Sequence, residues 1–216
     1  MKKALIFQGG WEGHEPAEVA EILAGILREE NFDVKITDTL ETLEKEDLTV
    51  YDLIVPNWTQ GTITDEQLNP LLEAVAKGTG LAGLHGGMGD SFRTATRYQF
   101  MVGGQWVEHP GNDGVEYVVN IVDRNHPLTK DMDDFTVVSE QYYMHIDPAI
   151  KVHATTRFPV VDGPHAANGP VDMPVVWTKM WGKGRVYYNS LGHVANIVRM
   201  PEVMLLMRRG FLWAAR

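Results

Sequence analysis

The residues best suited to chemistry in this chain are histidines and a glutamate placed beside glycines or at the ends of apolar runs. In GLAGLHGGMG, an apolar run passes straight into Leu84, His85, Gly86 and Gly87. This spacing imitates a nucleophile elbow, where small residues allow a sharp strand-to-helix turn that projects one side chain beside backbone N–H groups. Here the projecting residue is a histidine. Imidazole so placed serves as general base, general acid or metal ligand, and is a poor substitute for a thiolate in acyl transfer. A second run, YNSLGHV, ends a strand over Val186 to Ser190 and places His193 after Gly192 in the same relation.

A third segment, SEQYYMHID, sets Glu140 and His145 five residues apart. In an extended chain Glu140, Tyr142 and Met144 share one face, while Gln141, Tyr143 and His145 share the other. Glu140 and His145 therefore meet in one site only if the chain turns between them. The first loop, GGWEGHEP, offers Trp11 as a sugar-stacking wall and His14 facing a crevice, against the alternative of a helix-capping His14 and a structural Trp11. Its glycines miss the G-x-G-x-x-G phosphate fingerprint. Asn57, Trp58 and Gln60 form another such loop, and His109 follows Trp106 in a loop able to close over the crevice. His126, His153 and His165 read as structural or bystander residues.

The elements that must hold these groups follow from periodicity. Ala4 to Phe7 reads as a first strand and Pro16 to Glu30 as a helix whose Val19, Ile22, Leu23, Ile26 and Leu27 share one face. Val34 to Thr37, Leu53 to Pro56 and Gly80 to Leu84 read as strands, with a weak helical piece around Leu40 to Leu48. Thr64 and Gln67 form a capping box that opens a helix ending at Gly78. Strands alternating with helices favour a parallel sheet with helices on both faces, and ligands then sit beyond the carboxyl ends of the strands. Val115 to Val122, Phe135 to Val138, Val152 to Thr155, Val175 to Lys179 and Arg185 to Ser190 are joined by turns, which predicts antiparallel additions. Asp162 to Pro174 reads as a surface loop, and Pro201 to Ala214 as a closing helix.

Composition limits the options. The chain has 216 residues, 44% apolar and 22% charged, which predicts one globular domain over 1–216. It has no cysteine, so disulfides, thiolate nucleophiles and Cys-ligated metals are excluded, and any metal site must use His, Asp or Glu. The net charge of -10, with scattered Lys and Arg, argues against nucleic acid. The apolar run at the N-terminus stops at Gln8, too short for a signal-peptide core, and no stretch is long enough to span a bilayer. The expectation is a soluble cytoplasmic protein, with a homodimer as the default assembly.

Taken in order, GLHGG, a later HP, SEQYYM and GKGRVYYNSLGH closely resemble the ThuA-like (trehalose utilisation) family over nearly the whole chain. The resemblance implies a flavodoxin-like three-layer α/β sandwich related to class I glutamine amidotransferases. In those enzymes a cysteine occupies the elbow and a histidine comes late in the chain. His85 stands at this elbow and His193 matches the late histidine, so amidotransferase activity is not expected. The resemblance also implies sugar catabolism beside a partner oxidoreductase that makes a 3-keto sugar. The expected function is then acid/base or metal-assisted proton transfer on a sugar or 3-keto sugar, giving isomerisation or glycosidic cleavage. His85, His193 and Glu140 are the candidate catalytic groups. Trp11, His14, Trp58, His109 and Tyr142 are candidate substrate contacts. His85, His193 and His145 are candidate ligands of a single divalent ion, with zinc, manganese and iron all open. The competing expectation is a sugar-binding or regulatory protein on the same scaffold, which needs no concentration of titratable groups.

Overall fold

A computed structural model describes residues 1–216. The first half alternates β1 (Lys2–Gly10), α1 (Pro16–Glu29), β2 (Phe32–Thr37), α2 (Glu41–Lys45), β3 (Leu53–Thr59), α3 (Asp65–Lys77) and β4 (Gly80–Leu84). Two short helices, α4 (His85–Gly89) and α5 (Thr96–Val102), lead to β5 (Gly104–Glu108), β6 (Val115–Ile121), β7 (Phe135–Ser139) and β8 (Tyr143–Ile146). The chain closes with β9 (Lys151–Phe158), β10 (Val171–Trp181), β11 (Gly184–Asn189), α6 (Ala195–Val198) and α7 (Pro201–Ala214).

Nine strands form one sheet in the order β2-β1-β3-β4-β11-β10-β9-β6-β7. The strands from β2 to β11 in that order pair in parallel, and β10, β9, β6 and β7 extend the sheet antiparallel. The parallel part has the 2-1-3-4-5 order of a flavodoxin-like sheet, with β11 as its fifth strand. β5 and β8 pair with each other in a separate two-stranded sheet.

The parallel strands are apolar on both faces because helices cover both. In β1, Ala4 and Ile6 enter a core shared with α1 and α7, whereas Leu5 and Phe7 enter a second core shared with α3 and α5. The α1 stripe buries Val19, Leu23, Ile26 and Leu27, and α7 buries Val203, Leu206, Met207 and Phe211. At the start of α3, Gln67 N donates to Thr64 Oγ1 and Thr64 N donates to Gln67 Oε1. These bonds satisfy amides that the first helical turn leaves unpaired. The result is a three-layer sandwich whose β1, β3, β4 and β11 end together on one rim.

Two local readings change. The expected loop over Asp162 to Pro174 holds a 3-10 turn, Pro164–Asn168, and then the first four residues of β10. Pro174 is tolerated in the strand because the β9 pairing slips beside it, where its missing N–H is not needed. The piece around Leu40 to Leu48 splits into α2 and a 3-10 turn, Leu48–Val50.

His153 on β9 lies in the sheet interior, fully buried. Its Nε2 is 2.8 Å from Thr178 Oγ1, its Nδ1 has no hydrogen-bond partner, and the His126 ring packs 4.2 Å away. Burial, reinforced by His126 and Lys151, pushes its pKa down to about 4 from 6.5, against the opposing pull of Asp123. The unfolded chain therefore takes up this proton before the native one does, and stability falls as pH drops from 6.5 towards 4. At pH 5 the loss is on the order of 2 kcal/mol relative to neutral pH. Urea unfolding of the wild type and His153→Gln at pH 7.5 and 5 checks this: the variant is expected to show a pH dependence smaller by about that amount.

Candidate metal centre and cavity

Four loops at the rim bring four side chains together. The β4 to α4 turn supplies His85, with φ +42, an uncommon value for a residue with a Cβ and one suited to the sharp elbow. The loop after β1 supplies His14 from a 3-10 turn, Glu12–His14. The segment after β7 supplies Glu140, and the loop after β11 supplies His193. All four are buried, and one ligand atom from each lies within 4.8 Å of those of the others.

Glu140 Oε2 is the centre of the group. It lies 3.1 Å from His85 Nε2, 3.3 Å from His193 Nδ1 and 3.9 Å from His14 Nε2. The far side of two of the three rings is anchored. His85 Nδ1 donates to the Ser190 carbonyl at 2.8 Å, and His14 Nδ1 is 2.9 Å from Thr59 Oγ1. The Glu140 carbonyl accepts from Tyr117 Oη, and the His85 carbonyl accepts from Tyr188 Oη. His193 Nδ1 is buried without an aligned hydrogen bond.

This arrangement requires a cation. With its Nδ1 proton given to Ser190, a neutral His85 turns the Nε2 lone pair onto a carboxylate oxygen. Two acceptors facing at 3.1 Å repel unless a proton or metal ion lies between them. Burial disfavours the proton at two positions. It pushes His85 down despite Glu140 and Ser190, and it pushes His14 down to about 3 with help from His85 and His193. At His193, burial acts downward too, but Glu140 outweighs it and the pKa is raised. At Glu140, burial would raise the carboxyl, yet contacts with His193 and His85 hold it well below the usual carboxylate range.

Three imidazoles and one carboxylate could hold one divalent ion, and the donor set fits. Nitrogen and oxygen ligands stand about 2.0–2.2 Å from zinc, so neighbouring ligands of one ion lie roughly 3 Å apart, close to the two shortest separations here. Anchored outer nitrogens are the usual support for metal-binding histidines, since they fix tautomer and ring direction.

A cavity of about 250 Å3 opens on this group. Trp11, Trp106 and Tyr142 give it aromatic walls, and Gln60, Asn112, Asp90 and Arg93 give it polar ones. His109 reaches in from the loop after β5, with Nε2 3.7 Å from Glu140 Oε1 and Nδ1 buried without a partner. The Tyr142 ring stacks on His85 at 3.8 Å.

The structure thus gathers His85, His193, Glu140 and His14 in one buried cluster and sets His109, Tyr142 and Trp11 around the cavity beside it. It does not bring in the other two candidates. His145 is exposed on β8, because strand alternation turns Met144 to the core and His145 to solvent. His14 takes the position in the ligand group that His145 was expected to hold. Trp58 lines no part of the cavity; its ring packs against Gly9 and Gly61 and the second core. Thr59, Ser190, Asp90 and Arg93 were not anticipated. Asp90 and Arg93 stand just beyond GLHGGMG, in a polar DSFR segment that signals a loop and no chemistry.

An α/β sandwich of flavodoxin-like order, with a buried His and Glu group at its strand ends, is the class that fold and site define. The chain belongs to the ThuA family, described as trehalose utilisation, whose model matches residues 3–214. Membership implies a carbohydrate-related role. Among solved structures, a ThuA-like protein from Bacteroides uniformis superposes with a TM-score of 0.78 at 21% identity, covering 98% of this chain and 90% of that one. Another from Parabacteroides merdae gives 0.77 at 20% identity, covering 99% and 89%. The cytoplasmic protein STM1381 of Salmonella typhimurium gives 0.70 at 13% identity, covering 99% and 100%. These likenesses show the fold. No curated protein is a match to the sequence, and no helix is long and apolar enough to cross a membrane.

Gly86 tests the packing of the site. A Cβ there would meet His14 Cε1 at 2.6 Å and Nδ1 at 2.8 Å. Gly86→Ala should displace the His14 ring and weaken zinc binding by about tenfold or more, comparable to the loss of an outer-shell support. Competition with a chromophoric chelator measures the affinity, and far-UV circular dichroism checks that the fold survives.

Proposed function

We propose that this protein is a metal-assisted enzyme of carbohydrate catabolism that moves a proton on a 3-keto sugar, leading to isomerisation or cleavage of a glycosidic bond. The observation that carries this reading is the convergence of three histidines on one oxygen of the buried Glu140, beside a cavity with aromatic walls. A protein that only bound sugar would need the walls but not the buried titratable cluster.

A ketone makes the C–H next to it acidic, because the carbanion delocalises onto oxygen as an enolate. A base can remove that proton, and a glycosidic oxygen one carbon further on can then leave. His14, His85, Glu140 and His193 would hold a single divalent ion. When bound, such an ion polarises the ketone oxygen as a Lewis acid and stabilises the enolate charge. Zinc, manganese and iron all suit the donor set.

The chain's own residues supply the rest. Ser190 and Thr59 orient the rings of His85 and His14. Tyr142 and Trp106 shield the cluster from water, while Trp11 offers its face to the apolar side of a sugar ring. His109, with its side chain about a quarter exposed, stands between the cluster and solvent and is placed to carry the proton to and from the substrate. The supply of 3-keto substrate calls for an oxidoreductase acting earlier on the same sugar. The ThuA description supports a carbohydrate as the substrate class.

Metal content of protein purified without added metal, together with turnover of 3-keto-trehalose followed by NMR, tests the proposal. We expect close to one divalent ion per chain and chelator-sensitive turnover. His85→Ala should lose both the ion and about 10^3-fold in rate, with its circular dichroism spectrum unchanged. Full rate in His85→Ala would overturn the assignment. Sugar binding without metal or turnover would favour the non-catalytic reading.

A further inference from the structure

One charged pair in the cavity has no part in the proton chemistry. Asp90 is 4% exposed and fixed by its backbone: its N–H donates to the Gly86 carbonyl and its carbonyl accepts from Gln60 N. Its carboxylate is gripped on both oxygens by Arg93, with Nε 2.6 Å from Oδ1 and Nη2 2.8 Å from Oδ2. The guanidinium carbon lies 4.5 Å from the centre of the Trp106 ring. A guanidinium held edge-on by a carboxylate and face-on by an indole has lost its freedom before any ligand arrives. Arg93 Nη1 has no hydrogen-bond partner within the protein, and each Asp90 oxygen keeps a free lone pair. The pair therefore presents a rigid donor beside a rigid acceptor.

Arg93 is the only Lys or Arg lining the cavity, and Asp90 neutralises it. An anionic ligand would find no free cation on this wall and would face the Asp90 carboxylate. A pair of neighbouring hydroxyls fits it instead. One hydroxyl donates to Asp90, and its neighbour accepts from Arg93 Nη1.

Given the carbohydrate reading of the cavity, which it presupposes, we propose that Asp90 and Arg93 form a clamp for a vicinal diol that selects neutral sugars over sugar acids and sugar phosphates. The clamp holds the ring by hydroxyls remote from the reacting carbon, so that carbon is turned towards the histidine cluster. Asp90 is the discriminating member, because removing its charge frees Arg93 for an anion.

D-glucose and D-glucuronate share a ring and differ by one carboxylate, which makes them suitable probes. Calorimetric or NMR titration of the wild type should show glucose binding at least about tenfold more tightly than glucuronate. Asp90→Asn keeps the side-chain shape and should weaken glucose by about tenfold while strengthening glucuronate by a similar factor, inverting the preference. Arg93→Gln should weaken glucose without any gain for glucuronate, and it decides the matter if Asp90→Asn folds poorly. Repeating the titrations on chelator-treated protein removes any contribution from a carboxylate bound at the metal. A glucose-to-glucuronate ratio within twofold of wild type in both variants would overturn the clamp and leave the metal-centre proposal standing. Failure of the wild type to bind either sugar would overturn the clamp, and together with absent turnover of 3-keto-trehalose it would overturn the carbohydrate reading as well.

Discussion

The structure is organised around one buried oxygen. Glu140 Oε2 sits within 4 Å of ring nitrogens from His85, His193 and His14. A carboxylate in that position is costly to bury unless positive charge accompanies it. A proton on His193, which Glu140 favours, supplies part of that charge, while burial resists protonation at His85 and His14. A divalent ion could meet the demand of all four groups at once, with every imidazole neutral. Loading of such an ion would be coupled to formation of the centre, as expected where ligands must be deprotonated to bind.

The fold serves that oxygen by ending β1, β3, β4 and β11 on a common rim. Each strand end contributes a different kind of part. The loop after β1 gives His14, β3 gives the Thr59 hydroxyl that turns it, β4 gives the elbow histidine, and the segment after β11 gives both the Ser190 carbonyl and His193. Glu140 arrives from the antiparallel extension, held where β7 leaves the large sheet before β8 joins the small one. The Tyr117 hydroxyl fixes its backbone from the neighbouring strand. The extension thus delivers the one carboxylate of the ligand group, which the parallel half lacks.

Much of this was legible in the chain because the decisive signals were local. The strand-to-GLHGG transition marked the elbow, and alternation in SEQYYMHID holds within β8, where Met144 is buried and His145 exposed, but fails before it, where Glu140, Gln141 and Tyr142 are all buried. Parallel order and antiparallel additions followed from spacing. What stayed hidden depends on contacts between distant segments. His14 rather than His145 joins Glu140 because the β1 loop folds across the elbow, and the close approach of His14 to Gly86 has no counterpart in the spacing of either segment. Trp58 lies in a loop at the ligand end but turns into the core, where Gly9 and Gly61 make room for its ring. β5 and β8 are four or five residues long and pair only with each other, so neither shows a periodic pattern of its own.

The absence of cysteine bears on the chemistry as well as on the fold. In acyl transfer the elbow must present a strong nucleophile, and the reaction needs that atom free to attack. Here the elbow side chain is immobilised on both ring nitrogens, by Ser190 on one side and Glu140 on the other, with Tyr142 stacked on its face. A ring so confined is suited to holding charge in place and unsuited to forming a bond with substrate. The same strand-to-helix turn that aims a nucleophile elsewhere has therefore become a support for a buried charged centre. Nearer the cavity mouth, His109 keeps part of its side chain in solvent and has a ring nitrogen without a partner.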